Sequence, residues 1–133
     1  MTGPVAATRN GMTKHEVAGK SAAIMLYLQH VLIRQCRAAA SDGCTPDSLK
    51  DPYARLALAV IMNAIRCMCL PNSLGASHEE QEDAAAFLYG SDVEPWLYYL
   101  GLDPGWTRRM IRRTRVALSE VKGVAPAEEG RPA

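Results

Sequence analysis

Apolar residues recur along most of the chain at intervals of three and four, the period of a helix with one covered face. No stretch shows the strict alternation of a half-buried strand. Val17, Ile24, Met25, Leu28, Leu32 and Cys36 keep helical spacing behind Thr13, and Glu16 three residues later completes a capping-box start. This first predicted helix runs towards Ala40, where SDGCTPDS (41–48) breaks it. A second helix begins at Asp51-Pro52, a cap followed by a proline suited to the first turn, and continues as YARLALAVIMNAIRCMCL to stop before Pro71. Arg55 and Arg66 are its only charged side chains, so it is apolar nearly all round. Such a helix belongs at the centre of a core or in a subunit interface.

Ser77 and Glu80 repeat the capping-box spacing and start a third helix that reaches about Tyr89. Asp92 is the expected cap of a short fourth helix, 93–100. The fifth starts at Asp103-Pro104 and extends to about Val121, after Gly101 closes the fourth in a left-handed turn. The expectation is an all-α protein of about five helices: a flexible arm at 1–12, a single helical domain at 13–122 and a disordered tail at 123–133. Within the domain, 13–70 would form core and assembly helices and 77–122 a unit resembling a helix-turn-helix.

Charge sharpens that picture. The chain carries a net charge of +1, yet 104–122 holds six basic residues against Glu120, leaving nine basic and thirteen acidic residues elsewhere. Advancing about 100° per residue puts Arg108, Arg112 and Arg115 on one ridge flanked by Arg109 and Arg113. Trp106, Met110, Ile111, Thr114, Ala117, Leu118 and Val121 take the opposite arc. Leu97 and Leu100 of the fourth helix would face Trp106 and Met110, with Gly101, Leu102 and Asp103 as the turn. Thr107, Arg108, Arg109, Arg112, Arg113 and Arg115 are therefore the expected nucleic-acid-binding residues. The planar guanidinium fork engages a phosphate or a guanine edge with paired hydrogen bonds. No acidic residue interrupts 106–119, whereas an ordinary solvated helix mixes signs to gain intrahelical pairs.

The segment EDAAAFLYGSDVEPWLYYLGLDPGWTRRMIRRTR resembles small phage and prophage helix-turn-helix proteins, in which an aromatic segment with a Ser-Asp turn precedes an arginine-bearing helix. The resemblance covers about a quarter of the chain and implies a DNA-binding context. A transcription regulator and a DNA-packaging recognition subunit both fit it. Two other readings stay open: a protein-interaction module (inhibitor or adaptor) that docks its cationic face on an acidic partner, and an arginine-rich RNA-binding protein.

The remaining chemistry is sparse. Cys36, Cys44, Cys67 and Cys69 lack the two-residue knuckle spacing of structural zinc sites, and Cys67 and Cys69 point about 200° apart on a helix. They read as small buried apolar residues, with no metal expected. His15, His30 and His78 are isolated, and His30 suits a hydrogen-bonded core or interface position. Tyr89, Trp96, Tyr98, Tyr99 and Trp106 surround the proposed turn, where core packing of the C-terminal unit is expected of them. With no phosphate loop, nucleophile elbow or HExxH pattern, no enzyme and no cofactor are expected. The uncharged run at 21–33 is too short to cross a bilayer, and no secretory signal pattern is evident, so a cytoplasmic protein with reduced thiols is expected. Duplex DNA is the expected partner, with self-association through helices 13–40 and 52–70.

Overall fold

The computed structural model describes residues 13–36 and 46–123, and they form an all-α fold. Its helices are α1 (Lys14–Gln35), α2 (Pro52–Cys69), α3 (Pro71–Leu74), α4 (His78–Tyr89), α5 (Glu94–Leu100) and α6 (Pro104–Lys122), with a 3₁₀ turn at Pro46–Ser48. No strand occurs among the described residues. The expected arm at 1–12, the first helix's continuation through 37–40 and the tail beyond Gly123 lie outside them.

Local capping chemistry starts most of these helices where the sequence expects. Thr13 and Ser77 form complete capping boxes with Glu16 and Glu80. Asp51 accepts from the Tyr53 backbone N–H at 3.0 Å and Asp103 from that of Trp106 at 2.8 Å. Each of these oxygens satisfies one of the amide donors that a helix start leaves unpaired. Gly101 takes the left-handed conformation (φ 77°), and the Leu102 amide donates back to the Leu97 carbonyl at 2.8 Å, closing α5 tightly.

Two boundaries depart from expectation. The segment after α2 is not simply a loop: Pro71 opens the single turn of α3, which Gly75 ends at φ 65°. This makes six α-helices among the described residues rather than about five. Asp92 does not cap α5, because Val93 occupies the cap position without a side-chain hydrogen bond and α5 begins at Glu94.

Packing places α2 at the centre, against α4 and α5. Its Leu58, Ile61, Met62, Ile65 and Met68 are essentially inaccessible, as the charge-poor sequence anticipates. The α2–α4 contact is tied at its end by Gln81, whose amide donates to the Met68 carbonyl at 2.9 Å. The main partner of α1 is α6, and its buried stripe is narrow: Ser21, Met25, Leu28, Leu32 and Ile33. Arg66 of α2 reaches Gln29 of α1 at 3.4 Å. Thus α6 lies against α1 on one side and receives side-chain contacts from the α2–α4–α5 group on the other.

Buried cysteines are part of this core. The Cys36 thiol donates to the Leu32 carbonyl at 3.2 Å, and burial pushes Cys36 and Cys69 up to about 11. Cys67 is partly buried, with its thiol on the Glu80 carbonyl at 3.5 Å. No group of histidines, cysteines and carboxylates suited to a metal ion occurs among the described residues. His30 is half-buried, while His78 pairs with Glu82 at 3.5 Å on the surface. No helix among the described residues is long and apolar enough to cross a membrane.

Candidate nucleic-acid interface

The helix that bears the arginines buries Thr107, Ile111, Thr114 and Leu118, which repeat every three or four residues along one line. Diametrically opposite, Arg109, Arg112, Arg113 and Val116 are exposed. Arg108 and Arg115 lie between these two lines, partly covered. The solvent ridge therefore runs through Arg109, Arg112 and Arg113, not through Arg108, Arg112 and Arg115.

Two of the expected contact residues are consequently withdrawn from the surface. Thr107 is 1% exposed, and its hydroxyl is buried without a hydrogen-bond partner. A DNA base edge could not reach it without unfolding the helix start. Arg108 is turned inward: Nε donates to the Leu88 carbonyl at 3.2 Å, and Nη2 donates to the Gly90 carbonyl at 2.6 Å and to the Glu94 carboxylate at 3.4 Å. A helix end leaves its last carbonyls without partners. Arg108 supplies donors to the end of α4, to the turn that follows and to the first turn of α5. It is a brace that fixes how α6 sits on α4 and α5. Gly90 has to be a glycine here, since a Cβ would stand 2.7 Å from the Ala86 carbonyl oxygen.

The difference has a physical origin. Trp106 and Met110, expected on the buried arc facing Leu97 and Leu100, are both only partly buried. Because α1 covers one flank of α6 and the brace side is covered on the other, the most enclosed line falls between them. Polar Thr107 and Thr114 occupy that line. The Thr114 hydroxyl is satisfied by the Met110 carbonyl one turn back, at 2.9 Å.

The exposed guanidiniums are held by different neighbours. Arg112 lies over the Tyr89 ring, 5.4 Å from its centroid, in cation–π geometry. Burial raises the Tyr89 hydroxyl above its ordinary value, and the nearby Arg115 and Arg112 charges oppose that rise. Arg113 flanks a cleft of about 430 Å³ between α1 and α6, which Tyr27 and Ala23 line from the α1 side. Arg109 leans back over the first turn: a Cβ at Gly105 would stand 3.6 Å from its Nη1 and 3.3 Å from the Asp103 carboxylate. Arg115, half-covered, sets Nη1 against the Met68 sulfur at 3.5 Å.

This surface is a row of positive charge on one helix, with the nearest acidic residues along the chain at its two ends, Asp103 and Glu120. It can receive an extended anion, and Arg112 and Arg113 are adjacent residues able to meet neighbouring oxygens. Comparison with known proteins gives no matching family, no matching curated protein and no matching solved structure, so the functional reading rests on this geometry.

Proposed function

We propose that the protein binds duplex DNA through the exposed face of α6, with Arg109, Arg112 and Arg113 as the principal contacts and Arg115 at the edge. The observation that carries this reading is the uninterrupted row of exposed guanidiniums on one helix in a chain whose net charge is only +1. A basic patch on a near-neutral protein favours local recognition of an anion over general adhesion. The tight turn at Gly101, Leu102 and Asp103 supports the reading as well, because it leads α5 into α6 with both helix ends satisfied.

With Thr107 enclosed and Arg108 bonded inward, the face is better suited to phosphate contacts than to dense base reading. A transcription regulator and a packaging recognition subunit of phage type both use such a surface, in the cytoplasm where the DNA resides. Binding of a random duplex measured across a salt series tests the reading. About three phosphate contacts per protomer give a slope of log affinity against log salt near −3. The Arg109→Gln/Arg112→Gln/Arg113→Gln variant should lose most of this binding while keeping its helical circular dichroism. Unchanged duplex binding by that folded variant would remove the proposal. Stronger competition by an RNA hairpin, or by polyglutamate, would move the function to RNA or to an acidic protein.

A further inference from the structure

The aromatic residues around the turn are not all used for internal packing. Tyr98 and Tyr99 remain 59% and 51% exposed, and on α2 Tyr53 and Leu56 remain 71% and 55% exposed. Tyr53, Leu56 and Ala57 of α2 line a shallow groove with Pro95, Trp96 and Tyr99 of α5. The Tyr99 hydroxyl donates to the Asp51 carboxylate, which also caps α2, so the two walls of the groove are tied together. The face is therefore built in advance of any partner.

We propose that this α2–α5 face binds a second copy of the chain, in an isologous dimer. None of the lining residues carries a formal charge, and none belongs to α6. A strongly acidic or basic partner would find only the Asp51 carboxylate at the edge, already bonded to Tyr99, whereas charge pairing is what selects such partners. An uncharged face meets no like-charge penalty when a two-fold axis sets it against itself. Area supports the same occupant. An aromatic side chain removes about 150–250 Å² from water on full burial, so the open portions of Tyr53 and Tyr99 offer roughly 200–300 Å². Leu56, Pro95 and the rim of Trp96 bring the face to on the order of 500 Å², well over half of the ~800 Å² that each partner gives to a standard interface.

This inference does not depend on DNA binding. Its test is sedimentation equilibrium of the full chain at micromolar concentration, with circular dichroism to verify folding. The wild-type chain is expected to be a dimer. Leu56→Arg and Tyr53→Arg each place two like charges in the interface, because the two-fold axis repeats every substitution, and should weaken association about a hundredfold or more. Tyr27→Arg, at an exposed tyrosine of α1, should leave the dimer intact. So should the triple glutamine variant of α6, which keeps the two proposals separately testable. A monomeric wild-type chain would overturn the proposal, as would a dimer that survives in folded Leu56→Arg and Tyr53→Arg. Loss of the dimer in Tyr27→Arg alone would do the same and move the interface to α1.

Discussion

Helices α2 and α6 have nearly the same length, 18 and 19 residues, and opposite relations to the rest of the molecule. Eight residues of α2 are buried and all are apolar, so transfer out of water is enough to account for its position. Four residues of α6 are buried and two of them are threonines. Hydrophobicity decides where α2 goes; the neighbours decide which side of α6 is covered. An arginine on a central apolar helix would stand out at once. An arginine on a cationic helix is indistinguishable by type from its four companions, although Arg108 is turned inward and partly covered while Arg109 is open.

The comparison is tested most severely at the centre of α2. Ile61→Ala should cost about 2–5 kcal/mol in urea unfolding, since the side chain is fully enclosed and leaves a cavity. A loss below about half a kcal/mol would show that α2 is not the packed centre described above.

The next effect separates two arginines that look alike in sequence. Arg108→Ala removes hydrogen bonds to Leu88, Gly90 and Glu94 in a partly screened setting and should cost about 1–3 kcal/mol of stability. It should leave the salt dependence of duplex binding nearly unchanged. Arg112→Ala should do the reverse, changing stability by less than about 1 kcal/mol and reducing the salt slope by about one unit. If the two variants were interchangeable in both assays, the division between brace and contact face would fail.

The smallest effect concerns the enclosed threonine. Thr107→Val replaces a buried hydroxyl that has no partner with a methyl of similar shape, and unfolding should register no loss, or a gain of up to about 1 kcal/mol. A loss larger than about 1 kcal/mol would mean that the hydroxyl is bonded in solution and that this line of α6 is wetter than its 1% exposure implies.

Much of the fold was legible because helix starts are local events. Thr13, Asp51, Ser77 and Asp103 act on amides two or three residues away, and a reader of the sequence has both partners in view. Gly101 was legible for the same reason. Burial within α6 depends on helices distant in sequence, and no local pattern reports that Arg108 will meet carbonyls 18 and 20 residues earlier. One signal did exist: Glu94 and two helix ends lie shortly before a surplus of arginines, so at least one guanidinium had carbonyls within reach. The exposed tyrosines of α5 were missed because aromatic residues are assumed to favour interiors, while a seven-residue helix has room to bury only Leu97 and Leu100.

The packing of the first helix on the last has a kinetic consequence. The contacts among α2, α4 and α5, and the Arg108 brace, join residues within a few dozen positions of one another, whereas α1 must find α6 across most of the chain. Closing a longer loop sacrifices more chain entropy before its contacts repay it, so short-range pairings tend to form first. The α1–α6 seam is therefore expected to zip up late in folding and to exchange its amide protons early. One bank of the arginine row, the Arg113 side, would then be completed only when the two ends of the domain meet.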